Sequence, residues 1–248
     1  MARRLFDRPL TVFIGDVRSG KTSVSVQASK DLAHAGSEVC LVNLDVLHPF
    51  LLESWQAPDP GLAGKLTVAD LETASPPDAA AVHSRMVGCL KDPCRKMVLD
   101  VGADYASLAS LAQALDGIPA GSVDLLFVVN FCRPLTRTVD GAEMIARQME
   151  YQSGFRLTGL ISNTHLLDDT STETVSSGAA KAASLARELG IPLVAVCAWA
   201  PVAALIRRED IGCPVLGLGK RRSDGGRGPA REKGGKSSRQ GAAACRRS

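Results

Sequence analysis

Aromatic side chains are scarce in this chain of 248 residues, at 4% of the total. Proteins that hold single strands by stacking bases need aromatic platforms, and the basic stretch at the C-terminal end, where such a role would sit, has none. No apolar run reaches the length that spans a bilayer. The seven cysteines (Cys40, Cys89, Cys94, Cys132, Cys197, Cys213 and Cys245) are odd in number and irregular in spacing, with no C-x-x-C pair. A zinc ribbon or a dithiol redox motif is therefore not indicated. Cys40 and Cys197 lie in apolar runs and read as small core residues. Reduced thiols and the lack of a secretory signal lead us to expect a cytoplasmic protein.

What is present begins with Gly15-Asp16-Val17-Arg18-Ser19-Gly20-Lys21-Thr22, a G-x-x-x-x-G-K-[ST] pattern. Leu10 to Ile14 precede it and read as a buried strand, and Lys21 to Ala35 reads as a helix stopped by Gly36. Strand, loop and helix in that order are the context that the phosphate-binding loop called Walker A requires. Its glycines let the backbone turn around phosphate oxygens with no Cβ in the way. Successive N–H groups and the helix N-terminus then face the anion. Lys21 is expected on the β- and γ-phosphates and the Thr22 hydroxyl on Mg²⁺. Gly15 through Thr22, with Ser23 next on the helix, form the expected nucleotide cradle.

The rest of the chain alternates short apolar runs with helical ones. Glu38 to Leu44 reads as a second strand ending at Asp45, and residues 51–80 as an irregular connection with a short helix near Val68 to Leu71. Further strands are expected at Lys96 to Leu99, Asp124 to Asn130, Phe155 to Ser162 and Pro192 to Cys197. Helices are expected at Ala79 to Leu90, Tyr105 to Leu115, Arg133 to about Gln152, Glu173 to Leu189 and Pro201 to Arg207. This alternation predicts an α/β fold, a mostly parallel sheet with helices on both faces, in the three-layer architecture of P-loop NTPases. Such sheets bind ligands at the carboxyl ends of their strands, where Asp45, Asp100, Asn130 and Asn163 all fall. Asp100 closes the run Lys96-Met97-Val98-Leu99, the position of a Walker B acid that holds Mg²⁺ directly or through water. Asp45 is placed to orient attacking water or to join the metal shell. A dinucleotide fold would need G-x-G-x-x-G, which the loop does not have.

Charge divides the chain. Residues 220–248 carry ten Lys/Arg and two acids; taking these from 29 and 26 leaves 19 basic against 24 acidic residues in 1–219. Residues 1–219 are read as the nucleotide-binding domain and 220–248 as a basic, Gly-rich, disordered tail. Contact of that tail with nucleic acid or acidic membrane is the sharper reading. A solvated tail is favoured, because interleaved aromatics and an apolar face are both missing.

The loop, Val42-Asn43-Leu44-Asp45, Val98-Leu99-Asp100-Val101-Gly102 and Gly159-Leu160-Ile161-Ser162-Asn163 resemble the ParA/MinD/nitrogenase-iron-protein group of P-loop ATPases, the CobQ/CobB/MinD/ParA nucleotide-binding domain. The resemblance covers roughly residues 10–216. The Leu-Asp-x-x-x-Pro-Phe run at 44–50 and Asn-Phe-x-Arg-Pro-x-Thr at 130–136 are similar to a bacterial branch of ATP-binding proteins. The resemblance implies ATP and Mg²⁺ as cofactors, slow ATPase or nucleotide-switch activity, and a homodimer that sandwiches ATP. It puts Lys21 on phosphate, Thr22 and Asp100 on Mg²⁺, Asp45 on the hydrolytic water as the second acid of a D-x-D, and Asn163 on the adenine base. Two departures stand out. Asp16 occupies the place of the family's signature lysine, which reaches across the dimer, so the departure counts against that dimer. Arg18 is the candidate substitute, with a solvent-facing arginine as the simpler reading. Asn43 replaces the first acid of D-x-D. Residues 103–115 hold no cysteine, which excludes a bridging iron–sulfur cluster. Two other readings stay open: a small-molecule kinase or ATP-dependent ligase, with Arg133 and Thr136 on an acidic substrate, and a ParA/MinD-type positioning ATPase that uses the basic tail. The sequence names no partner protein.

Overall fold

The computed structural model describes residues 5–45, 60–69 and 79–219. In chain order its elements are β1 (Leu10–Ile14), α1 (Lys21–His34), β2 (Glu38–Leu44), β3 (Leu66–Ala69), α2 (Ala79–Leu90), β4 (Arg95–Val101), α3 (Tyr105–Ala114) and β5 (Val123–Val129). There follow α4 (Val139–Ser153), β6 (Gly159–Ser162), α5 (Thr172–Leu189), β7 (Leu193–Trp199), α6 (Ala200–Ala203), α7 (Arg208–Ile211) and β8 (Val215–Leu218). Eight strands join in one sheet in the order β3-β2-β4-β1-β5-β6-β7-β8, and every neighbouring pair is parallel. The expected parallel α/β architecture is the one observed.

Strand periodicity sorts the core into two layers, because successive side chains leave opposite faces of the sheet. Leu10, Val12 and Ile14 of β1, with Leu125, Phe127 and Val129 of β5, pack against α2, α3, α4 and α5. Phe13, Val98, Leu126 and Val128 leave by the other face and meet Val24, Ala28 and Leu32 of α1. The lead-in is fastened at the amino end of the sheet, where Arg8 Nε lies 3.2 Å from Asp124 Oδ1 and Lys96 Nζ donates to Asp7 O at 2.6 Å. Among the described residues no helix is long and apolar enough to cross a membrane.

Four local expectations are corrected. Leu66 to Ala69 is a strand where a helix near Val68 to Leu71 was expected. Val39 to Val42 of β2 presents an open edge, and Leu66 to Ala69 pairs with it residue for residue, which β-branched Thr67 and Val68 suit. The helix expected from Arg133 starts at Val139, because Thr138 supplies the cap, its side chain accepting from Gly141 N at 3.1 Å. Residues 155–158 connect to β6 rather than extend it, with Leu157 N donating to Glu150 Oε1 at 2.8 Å. The helix expected at Pro201 to Arg207 is two single turns, α6 and α7, broken by an extended Arg207. The eighth strand after them was not anticipated. The expected tail, and the part of the Leu-Asp-x-x-x-Pro-Phe run beyond Asp45, lie outside the described residues.

Candidate functional site

β1 lies in the middle of the sheet and delivers the chain into the loop at 15–22. Gly20 caps α1 with φ of 88°, a left-handed conformation, and has no side chain to cap the first N–H groups of the helix. Those groups have no intrahelical partner either, so the helix start faces the loop as a set of donors. Space dictates glycine at both ends. A Cβ on Gly15 would stand 2.2 Å from Val128 O, and one on Gly20 2.1 Å from Asn163 Nδ2. Inside the loop Asp16 O accepts from Ser19 N and from Lys21 Nζ, both at 3.1 Å, and Asp16 Oδ1 accepts from Val17 N at 2.7 Å. Val17 and Arg18 form the exposed tip, Arg18 with φ of 59°. Ser23 sits half-buried in the first turn of α1.

Strand order then gives the loop two unlike flanks. From β2 and β4 come acids. Asp100 is 2% exposed, and burial pushes its carboxyl up to about 6, against the opposing charge of Lys21 and a hydrogen bond from Thr22, while nearby Asp45 adds to the rise. Lys21 is held below the usual lysine range by burial, opposed by Asp100, Asp45, Asp16 and Asp104. Asp45 is half-buried, its backbone N–H bonded to Asn43 Oδ1 at 2.9 Å. Asp104 caps α3, its Oδ1 accepting from Ser107 N at 2.9 Å and its Oδ2 from Ser107 Oγ at 2.6 Å.

Two buried side-chain oxygens among the described residues have no hydrogen-bond partner: Ser19 Oγ and Asp100 Oδ1. Buried polar atoms are nearly always satisfied, and both of these belong to the site. Asp100 Oδ1 and the Thr22 hydroxyl beside it are oxygen donors, the chemistry of a hard divalent cation. Mg²⁺ fits the residues present.

From β5 and β6 come neutral hydrogen-bonding groups and one cation. Asn163 is buried and its Nδ2 donates to Ser19 O at 2.8 Å, tying the loop to β6. Asn130 Oδ1 accepts from Cys132 N and His165 N, at 2.9 and 3.3 Å, and its Nδ2 donates to His165 O at 3.4 Å. Arg133 Nε donates to Arg18 O at 3.2 Å, bracing the loop tip. Thr136 is fully buried and donates to Asn130 O at 2.7 Å.

The loop, Asp45, Asp100 and Asn163 are thus gathered at one end of the sheet. Arg133 and Thr136, the pair suggested for an acidic substrate, both bond to backbone carbonyls of the protein. Two neighbours were not anticipated. Asp104 carries a legible signal, an aspartate three residues before Ser107 at a helix start. His165 carries none beyond its place two residues after Asn163.

No family model matches the chain, and no curated protein matches it. Solved structures do. Cell division protein FtsY from Thermotoga maritima aligns at 19% identity and a TM-score of 0.56, over 79% of this chain and 65% of that one. FtsY from Mycoplasma mycoides aligns at 16% and 0.53, over 78% and 61%. The signal recognition particle 54 kDa protein from Aeropyrum pernix K1, solved in complex with GDP, aligns at 14% and 0.53, over 75% and 40%. The chain thus spans less than two thirds of these proteins. At such identities the likeness is one of fold, and that fold is the three-layer P-loop architecture.

Proposed function

We propose that the protein binds ATP with Mg²⁺ and either hydrolyses it slowly or uses it as a switch. One observation carries the reading: a buried lysine, the neighbouring Asp100 with an unpartnered Oδ1, and the unpartnered Ser19 Oγ of the loop itself lie at a helix start whose first N–H groups have no intrahelical partner. A triphosphate would take the backbone N–H groups of residues 15–22 and the Lys21 ammonium. Thr22 and Asp100 would hold the metal, whose charge offsets that of the β- and γ-phosphates. Asp45, its backbone held at the end of β2 by Asn43, would orient the attacking water.

For the base, residues 163–167 read Asn-Thr-His-Leu-Leu, and the nearest carboxylates, Asp168 and Asp169, follow in an exposed turn. Guanine presents N1–H and N2–H₂ donors that call for a carboxylate, whereas adenine's N6–H₂ needs a single acceptor. Asn163 Nδ2 is engaged with Ser19 O, so Oδ1 is the end that would accept from N6. The Asn163 amide oxygen, buried beside the loop, is what supports the adenine reading.

The test is calorimetric binding of Mg-ATP to wild type and Lys21→Ala, with thermal melts to check folding. The variant is expected to bind at least about a hundredfold more weakly, the scale of removing a charge-assisted hydrogen bond while its desolvated partners stay behind. Equal affinities would sink the assignment.

A further inference from the structure

Asp16 apart, which lies in the loop itself, the acids around Lys21 reach it from the β2 and β4 side, where the metal and the terminal phosphates belong. A nucleoside attached to those phosphates therefore has to leave toward β5 and β6. His165 stands on that route. Its Nε2 lies 3.5 Å from the point where a Cβ on Gly20 would be, at the start of α1.

The ring is held in one place and one form. Asn130 bonds both the N–H and the C=O of His165. The adjoining Thr164 Oγ1 accepts from Phe131 N at 3.3 Å. Leu167 N donates to His165 Nδ1 at 3.3 Å, so Nδ1 has no proton and the neutral ring carries its hydrogen on Nε2. Burial first, and then the Arg133 charge, hold the imidazole down at about 4. Among the described residues no group accepts from Nε2. A histidine kept only for packing would need none of this alignment.

We propose that His165 is a nucleoside-recognition residue, its fixed Nε2–H donating to an acceptor on the base or sugar of the bound nucleotide. This rests on the ATP reading above and adds a residue to it. Lys21, Thr22 and Asp100 fix the phosphates and metal whatever they carry. Asn163 and His165 then make the attached nucleoside count.

The test compares Mg-ATP with Mg-tripolyphosphate, which has the phosphates and no nucleoside, by calorimetry at neutral pH. Wild type should prefer ATP. His165→Ala should lose about 3- to 10-fold toward ATP, the range for one neutral hydrogen bond, and stay within about twofold toward tripolyphosphate. His165→Gln keeps an N–H donor at similar reach and should recover most of the loss. Non-additivity of His165→Ala with 7-deaza-ATP would place the acceptor at purine N7, and additivity would place it elsewhere on the nucleoside; either result supports the assignment. Equal losses toward both probes would mean that His165 only shapes the loop, and would overturn it. So would no loss toward either, or a wild type that binds the two alike. A wild type that binds neither would instead remove the ATP reading itself, and this inference with it.

Discussion

The two flanks of the phosphate loop are built from opposite chemistry. On the β2 and β4 side, Asp45, Asp100 and Asp104 crowd one buried lysine. On the β5 and β6 side, Asn130, Asn163, Thr164 and His165 bond one another's loops and the phosphate loop, with Arg133 as the cation among them. The acidic flank is under electrostatic stress: burial resists its charges, and Asp100 Oδ1 has no partner. The neutral flank spends most of its polar atoms on its own loops and on the phosphate loop, and leaves His165 Nε2 without an acceptor among the described residues. A site of this kind is fixed in shape from one side and left wanting a cation from the other. Positioning and charge compensation are thereby assigned to different strands.

The largest way to break that division is at the seam. Gly20 is the point where the loop meets the neutral flank. Gly20→Ala places a Cβ 2.1 Å from Asn163 Nδ2 at a φ of 88°. Left-handed strain and a displaced, buried amide together should cost about 4 kcal/mol, measured by urea unfolding. Removing the obstacle tests the cause. In Gly20→Ala/Asn163→Ala the cost should be less than the sum of the two single variants. Additive costs would mean that the seam is not where the flanks are joined.

The next test uses pH, because the flanks titrate in opposite directions. Asp100 holds its proton up to about pH 6 in the folded protein, against an ordinary carboxyl value of 3.8. Folded chains then carry more protons between those values, and stability falls as pH rises through the window. His165 is held at about 4 against 6.5. Unfolded chains carry more protons there, and stability rises with pH through nearly the same window. Each effect is at most about 3 kcal/mol at 1.36 kcal/mol per unit, so they nearly cancel in the nucleotide-free wild type. Asp100→Asn should expose the rise between pH 4 and 6.5, and His165→Gln the fall between pH 4 and 6. Variant profiles parallel to wild type would show that the two groups are not opposed.

The same division explains what the sequence could reveal. Gly15 to Thr22 is legible because the whole cradle is contiguous. Asp45, Asp100 and Asn163 are legible because each ends an apolar run. Which side of the loop each one serves depends on strand order, and β4 enters between β1 and β2 while β5 takes the other side. Apolar runs do not encode that order. His165 is invisible for a related reason: its pinning residue is 35 positions away, and the Asn163 bond to Ser19 spans 144. At the sheet's edges, Leu66 to Ala69 and Val215 to Leu218 are too short to declare a period.

The smallest effect is expected at Asn43. It pairs in register with Asp100 across β2 and β4, and its Oδ1 accepts from Asp45 N. Asn43→Asp keeps that acceptor and nearly the same shape, so the loop should not move and the nucleotide-free protein should lose less than about 1 kcal/mol at pH 7. What changes is charge. A fifth carboxylate joins Asp16, Asp45, Asp100 and Asp104 around Lys21, and like charges disfavour ionisation. In a His165→Gln background, where the opposing slope is absent, the fall in stability should therefore extend upward by about one pH unit or less. Arg133 and Asn163 lie across the loop, and the tripolyphosphate affinity conferred by the loop itself should change far less than the dependence on Mg²⁺. An unshifted window would mean that Asn43 and Asp100, although paired in register, do not share a field. The acidic flank would then be a set of separate carboxylates, and its need for a cation would rest on Asp100 alone.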